Sequence, residues 1–431
     1  MTPRLLLLLP TTTYRTTAFV EAARRIGADL TVASERPSTL EAANPAGLLT
    51  LDFQHPAAAA DAVRAFSADH PIQGVVGVDD DTVVVAAAIA ERLKLKGNPV
   101  HAAEAARDKH AQRRRLAEAG VPIPKFALHS LSEDPHQVAR SVAYPCVLKP
   151  LRLSASRGVI RADGPDGFVK AHARLKAILA APDAAACGKP ARQYLVEEFI
   201  PGYEVALEGL LVHRRLHVLA LFDKPDPLDG PFFEETIYVT PSQVPAGLQT
   251  AITQCAERAA KALGLAEGPI HAELRYNERG PWLIEMAARP IGGRCSAVLR
   301  FGSGEQGAGS SVSLEEIILR HALDMPIPSL ERERHAAGVM MIPIPGAGTL
   351  QEVRGVAEAK AVPLIEDVQI TAHPGEQLVP FPEGSRYPGF IFARGETPAT
   401  VESALRAAHQ QLTFILLPQQ PPASGEGPTP P

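Results

Sequence analysis

From its N-terminus, the chain sets short unbroken apolar runs between longer segments whose apolar residues recur at helical spacing. RLLLLLP reads as a buried strand, TTAFVEAARRIGA as a helix stopped by Gly27, and DLTVAS as a second strand. AAAADAVRAFSADH, IQGVVGV and TVVVAAAIAERLKLKG continue the cycle as helix, strand and helix. Strands that are apolar on both faces and alternate with helices form a parallel sheet covered on both sides. Ligands of such sheets sit beyond the carboxyl ends of the strands, where Asp79, Asp80 and Asp81 follow IQGVVGV. The same acids stand just before a helix, where capping and compensation of the helix dipole also favour them. The pattern leaves both readings open.

Beyond Ala111 the rhythm changes. AQRRRLAEAGVPIPKF is a helix followed by a turn, its arginines on a solvated face. YPCVLKPL is a strand carrying Lys149, and LSASRGVIRAD is a small-residue loop, containing Ser156 and Gly158, that leads into another strand. Any hairpin could carry such a loop, so it does not by itself identify a phosphate cradle. DGFVKAHARLKAILA is a helix, and Pro182 to Pro190 reads as a flexible connection. A strand-rich block follows in RQYLVEEFIPGYEVALEGLLV, RLHVLALFDK and EETIYVTPS, with the helices AGLQTAITQCAERAAKALG and SLEEIILRHAL. From Met340 onward, GVMMIPIPG, TLQEVRGV and GEQLV form a smaller β-rich unit before a last helix, PATVESALRAAHQQL. The tail LPQQPPASGEGPTPP cannot bury apolar area and is expected to be disordered. The expected divisions are therefore 1–107, 108–190, 191–335, 336–418 and a tail at 419–431.

The stretch AELRYNERGPWLIEMAARP places a glutamate in the middle of each of two adjacent strands. A three-residue loop, Glu278-Arg279-Gly280, with Gly280 at positive φ, sets Glu273 directly opposite Glu285. Like charges facing each other across a sheet are destabilising, and a divalent cation between them reverses that cost. Arg289 keeps the same parity and could meet an anion beside the metal. A solvated acidic face on a surface hairpin is the alternative.

Composition narrows the function. A chain of 431 residues exceeds one ordinary core, so several domains are expected. With 45% hydrophobic and 21% charged residues and a net charge of −5, it lacks the basic footprint of a nucleic-acid binder. No apolar run reaches membrane-spanning length, and Leu5 to Leu9 is too short for a secretory signal core. Cys146, Cys187, Cys255 and Cys295 match neither a zinc spacing nor a disulfide framework, so a reducing, cytoplasmic setting is expected.

Lys109 in ARDKHAQRRRLAEAGVPIP, Lys149 in CVLKP, the segment EEFIPGYE and the Glu-Glu-Arg hairpin stand in the order and spacing of the ATP-grasp superfamily, which the chain resembles from about Arg107 through Arg300. LFDKPDPLDGPFFEETIYVTPS and IEMAARPIGG are similar to the branch containing L-amino acid ligases and carnosine synthase-like enzymes. The resemblance implies a multidomain α/β and α+β chain: an ATP-grasp fold between an N-terminal parallel β/α domain and a C-terminal β-rich subdomain. It implies ATP and magnesium, with manganese an acceptable substitute, as one or two ions. Lys109 and Lys149, with Ser156 and Gly158, would contact the phosphates; Glu197, Glu198, Phe199 and Ile200 would meet adenine, largely through backbone groups. Glu204 would accept from the ribose hydroxyls, Glu273 and Glu285 would hold metal, and Arg289 would steady an acyl phosphate. Glu235, Tyr238, Arg289, Gly292 and Gly293 would form the substrate pocket. The two glycines either leave space there or hold positive φ in a tight turn.

Two positions depart from the family. Ala287 replaces an asparagine that many members use as a metal ligand, which puts the second ion in doubt. Tyr238 stands where several ligases have histidine, so strand packing and substrate contact are both open to it. The implied activity is ligation of a small carboxylate to a small amine, with neither nucleic acid nor membrane as partner and with a homodimer allowed. A biotin-carboxylase-like enzyme is the first alternative, but Met340-Met341 has no lysine between or beside it, as a biotin-carrier segment would. A non-catalytic nucleotide-binding regulator is the second, and it would not need the metal carboxylates and phosphate lysines that are present.

Overall fold

The computed structural model describes residues 2–302 and 311–418. Of the tail expected to be disordered, Leu417 instead closes a strand paired with Thr349, and residues 419–431 lie outside the described residues. The N-terminal strands form a parallel sheet in the order Leu48–Thr50, Asp29–Ser34, Arg4–Leu8, Gly74–Gly77. Its central strand explains the leucine run: Leu5 and Leu7 enter one core, Leu6 and Leu8 another, and all four are buried. The first helix, Thr16–Ile26, ends at Gly27 in the left-handed conformation, as the sequence predicts. The Leu48–Thr50 strand is too short to show a period, and the alanine-rich helix Val100–Arg107 lacks the contrast that marks a buried face. Neither is legible in the sequence.

A second, antiparallel sheet has the order Phe126–Ser130, Gln193–Glu198, Cys146–Pro150, Ile160–Ala162. The Phe126–Ser130 strand begins where the expected turn ends and was not read from the sequence. Pro182 to Pro190 is not a loose connection: it contains the short helix Pro182–Ala185, whose Ala184 is buried, and enters a 3-10 turn at Lys189.

The largest sheet has eight strands, running Gly280–Ala287, Gly268–Asn277, Tyr203–Val212, Arg215–Lys224, Ile237–Thr240, Ala336–Met341, Gly389–Gly395, Ile365–Ile370. The β-rich segment from Met340 thus supplies strands to this sheet. The hinge is Ile237–Thr240, buried throughout and paired antiparallel with Ala337 to Met340. Only Gln377–Leu378, Gly348–Arg354 and Thr413–Leu417 form a separate sheet. Among the described residues, no helix is long and apolar enough to cross a membrane.

The three acids after the Gly74–Gly77 strand do not cap the next helix. Each pairs with an arginine from another segment: Asp79 with Arg15, Asp80 with Arg289 and Asp81 with Arg107. Arg15 also donates through Nη2 to the carbonyl oxygens of Pro290 (3.2 Å) and Ile291 (2.7 Å), tying the N-terminal sheet to the end of the glutamate hairpin. Its side chain is 5% exposed. Replacing Arg15 with Ala should leave two carbonyls and a carboxylate without their donor, lowering stability by about 2–4 kcal/mol. Urea unfolding followed by circular dichroism measures this; a midpoint matching that of wild type would contradict the clamp.

Candidate active site

One cavity gathers residues from the second antiparallel sheet, the eight-stranded sheet and the loops and helix beside them. Its wall includes Lys109, Lys149, Ser156, Glu197, Glu198, Phe199, Ile200, Glu204, Glu235, Tyr238, Glu273, Glu285, Arg289, Gly292 and Gly293. Of the residues predicted for the site, only Gly158 lies outside the lining. Its φ is +74° and its amide already donates to the Pro382 carbonyl at 2.9 Å, so it shapes the loop and presents no donor to a phosphate.

The glutamate hairpin forms by a different route from the one expected. Its loop has two residues, Glu278-Arg279, closed by the Asn277–Gly280 pair with Gly280 at φ +99°. That register would set Glu273 against Ile284. A β-bulge between Glu273 and Leu274 shifts the pairing by one residue and restores Glu273 opposite Glu285. The carbonyl of bulged Ile284 accepts from Arg113. His271, Glu273 and Arg275 alternate along the strand and all line the cavity.

Every cavity carboxylate except that of Glu198 is held by a cation from elsewhere in the chain. Lys109 Nζ donates to Glu285 at 2.9 Å and to the Leu153 carbonyl at 3.0 Å. Lys149 is not an unpaired ammonium in an apolar strand: its Nζ lies 2.8 Å from Glu197, which also accepts from Arg113 Nε at 2.7 Å. Burial alone would push the Glu197 carboxyl up. Arg113 and Lys149 outweigh it and hold the group at about 2. The Glu197 side chain is therefore engaged in an ion pair. Next to it, the amides of Glu198 and Phe199 donate to the carbonyls of Lys125 and Pro145, while the Ile200 amide has no partner among the described residues. Arg275 fixes this segment by donating to the carbonyls of Ile200, Gly202 and Leu228.

Lys224 was not singled out in the sequence. Its ammonium, 3% exposed, sits among Glu204 (2.7 Å), Glu235 (2.7 Å) and Glu273 (3.0 Å) and lies 4.9 Å from the centre of the Tyr238 ring. A lysine closing the apolar run RLHVLALF was the available signal, because a buried ammonium requires partners. Tyr238 lines the cavity, donates its hydroxyl to Glu235 at 2.6 Å and packs edge-on against Phe222, so it packs in its strand as one of its two readings has it. Burial pushes the Glu235 carboxyl up to about 7, with Lys224 opposing the rise and Glu273 adding to it. Glu273 moves the other way: against its burial, Lys224 and His271 hold it well below the usual range. His271 bridges Glu273 at 3.7 Å and Glu208 at 3.8 Å, and the sequence reading missed it too.

Arg289 Nε lies 3.0 Å from Asp80. The two glycines beyond it differ. Gly293 has φ +59°, and a Cβ there would meet Met341 Sδ at 2.6 Å; a Cβ on Gly292 would find only the Tyr14 hydroxyl at 3.8 Å. Gly293 is therefore a turn glycine, and Gly292 is the one that leaves space.

The donor set suits a hard divalent cation. Glu273 and Glu285 offer carboxylate oxygens across one strand pair, and oxygens of Glu204, Glu235 and Glu273 come within 4.8 Å of one another. Ala287 borders the same space and contributes no donor.

Comparisons with known proteins agree with this architecture. Residues 142–298 match the model of the ATP-grasp domain, 20–97 that of the ATP-grasp N-terminal domain, and 340–416 that of the L-amino acid ligase C-terminal domain 2. The chain is 32% identical over 219 residues to the alanine–anticapsin ligase of Bacillus subtilis, covering 47% of this chain and 45% of that protein's length. It therefore spans less than half of that relative. Against the D-alanine–D-alanine ligase of Aromatoleum aromaticum it is 31% identical over 236 residues, or 53% of this chain and 69% of the relative. The solved L-amino acid ligase of Bacillus licheniformis superposes with a TM-score of 0.77 at 26% identity, covering 96% of this chain and 99% of that one.

The low pKa of Glu197 carries a pH signature. A carboxyl depressed in the folded state stabilises it above its ordinary pKa, and that contribution is lost as pH falls toward about 2. Glu197→Gln should therefore be less stable than wild type at pH 7, by about 3–5 kcal/mol, because Arg113 and Lys149 lose their counter-charge. The gap should narrow between pH 5 and pH 2. A gap that stays constant over that range in denaturant titrations would show that the pair does not act this way.

Proposed function

This chain belongs to the ATP-grasp superfamily, and from that premise we propose that it is an ATP-dependent carboxylate–amine ligase. In the proposed reaction, a carboxylate oxygen attacks the γ-phosphorus of ATP and ADP leaves. The amine nitrogen then attacks the acyl carbon of the acyl phosphate, phosphate departs, and an amide remains. The observation that carries this reading is the convergence of Lys109, Lys149 and Arg289, from separate segments, on the cavity that holds the Glu273–Glu285 pair.

Each residue then has a role. Lys109 and Lys149 exchange part of their contact with Glu285 and Glu197 for phosphate oxygens, as movable point charges do. The Ile200 amide is free to donate to the adenine edge, and Glu204 accepts from the ribose. Glu273 and Glu285 would hold magnesium, or manganese in its place, which when bound supplies Lewis-acid stabilisation of the phosphates. Arg289 places a fixed positive charge where the acyl phosphate and its tetrahedral successor gather negative charge. Glu235, at about 7, is poised to take the proton that the attacking amine releases. The biotin-carboxylase alternative is disfavoured, because the relatives by sequence are named as ligases joining amino acids. A cytoplasmic setting and a homodimer complete the proposal.

Glu273→Gln and Glu285→Gln should each lower ADP release by orders of magnitude while circular dichroism stays native. Near wild-type turnover of both variants at saturating magnesium would place the metal elsewhere. The glycines give a second test. Gly293→Trp should depress melting temperature and all substrates alike, because φ +59° and Met341 oppose any side chain. Gly292→Val should keep the melting temperature and shift preference toward smaller substrates; the reverse assignment of these two outcomes would overturn this account of the pocket.

A further inference from the structure

The segment from Arg289 to Gly293 carries the arginine and the open glycine of the cavity, and one of its residues is held at both backbone groups by buried charged side chains. The Ile291 amide donates to Glu208 Oε2 at 3.0 Å, and the Ile291 carbonyl accepts from Arg15 at 2.7 Å. Ile291 is itself buried and borders the cavity between Arg289 and Gly292. Arg15 precedes the first helix, whereas Glu208 belongs to Tyr203–Val212, a strand flanked on both sides in the eight-stranded sheet. Such a strand cannot shift without breaking two ladders of hydrogen bonds. Glu208 is therefore a fixed point against which the segment is set.

The acid is costly where it stands. It is fully buried, at 0% exposure, within the apolar run VALEGLLV. Among the described residues the Ile291 amide is its one hydrogen-bond donor, and its Oε1 has no partner. Its cross-strand neighbour His271 lies 3.8 Å away, beyond hydrogen-bond range, with Nδ1 likewise unpartnered. A buried acid with so few partners adds little stability, because a well-packed apolar side chain of similar volume often serves at least as well. What the acid does supply is an acceptor at a set position beside the Ile291 amide.

We propose that Glu208 is a positioning residue for the ligation: through the Ile291 amide it fixes the segment from Arg289 to Gly293, so that Arg289 meets the acyl phosphate as it forms. This rests on the carboxylate–amine ligase reading above. Asp80 orients the Arg289 side chain, but the backbone sets where that side chain starts. Without its acceptor the Ile291 amide would be buried and unpaired, and the segment would move to find a partner. A displacement on the order of 1 Å can lower turnover ~100-fold where reacting groups are held by orientation. The acyl phosphate would also wait longer for its nucleophile. Water can then attack the acyl carbon, releasing phosphate and returning the carboxylate, so that ATP is consumed without product.

The test uses hydroxylamine as the amine, with the carboxylic acid that gives wild type the most hydroxamate in a screen. Burial pushes the Glu208 carboxyl well above its usual range, against Arg15, so glutamine reproduces both its shape and its acceptor. Leucine keeps the volume and removes the acceptor. Glu208→Leu should lower kcat for hydroxamate about 100-fold, leave KM for ATP within about twofold, and raise the ADP released per hydroxamate about threefold or more. Glu208→Gln should restore all three values to those of wild type. A purely structural role predicts a lower melting temperature, with kcat and the ADP-to-hydroxamate ratio unchanged wherever the variant is folded; that result would overturn the inference. So would a Gln variant as impaired as the Leu variant, or a Leu variant whose KM for ATP rises as kcat falls. If Glu208→Leu fails to fold, Glu208→Asp, which draws the acceptor back by one methylene, decides by the same split and ratio. Wild-type enzyme that forms no hydroxamate from any acid tested would instead defeat the ligase reading, and this inference with it.

Discussion

Neutralising a dense set of carboxylates, one buried and four partly buried, is the constraint on which this structure depends. Glu197, Glu204, Glu235, Glu273 and Glu285 face one cavity, where any of them left unpaired would be costly. The chain meets the demand with Lys109 and Arg113 from one helix and Lys149 and Lys224 from two strands in different sheets. A site neutralised in this way is stable without ligand. Its lysines are also already aimed at the space where phosphate charge would arrive, so charge can be exchanged without unfolding anything.

That arrangement ties chemistry to backbone detail. The bulge that aligns Glu273 with Glu285 also turns the Ile284 carbonyl toward Arg113, and Arg113 in turn holds Glu197 beside Lys149. One extra residue in a strand therefore sets both the acidic pair and the spacing of a lysine in another sheet. Arg275 does similar work on the Ile200 segment, replacing what would be a loose turn with three carbonyl contacts. Precise positioning of the reacting groups requires such a framework, because catalysis by orientation is lost when the parts drift.

The N-terminal sheet belongs to the same network. Asp79, Asp80 and Asp81 sit beyond the carboxyl ends of parallel strands, where ligands of such sheets commonly bind. Here they bind arginines of the same chain. Asp80 orients Arg289, and Asp79 anchors Arg15, which grips the carbonyls that follow Arg289. The sheet thus acts on the site through an arginine it holds in place. Arg294, further along the same loop, has no acidic partner among the described residues.

Periodicity and residue type determined a good deal by themselves. The leucine run, the helix ending at Gly27 and the RLHVLALFDK strand follow from local rules of burial and capping, and the ATP-grasp family follows from motifs that keep their order. Elements whose evidence is tertiary were not legible: the Leu48–Thr50 and Phe126–Ser130 strands become strands only through the neighbours they pair with. The bulge could not be read either, because hairpin register depends on where a backbone can bend as well as on which residues alternate. Lys224 looked like the end of a strand until three carboxylates, distant in sequence, closed around it. Gly292 and Gly293 are identical in sequence and opposite in role, since one φ angle and one methionine sulfur distinguish them. Sequence set the inventory of charges; only the folded chain decided which charges meet, because pairing energy depends on separation in space.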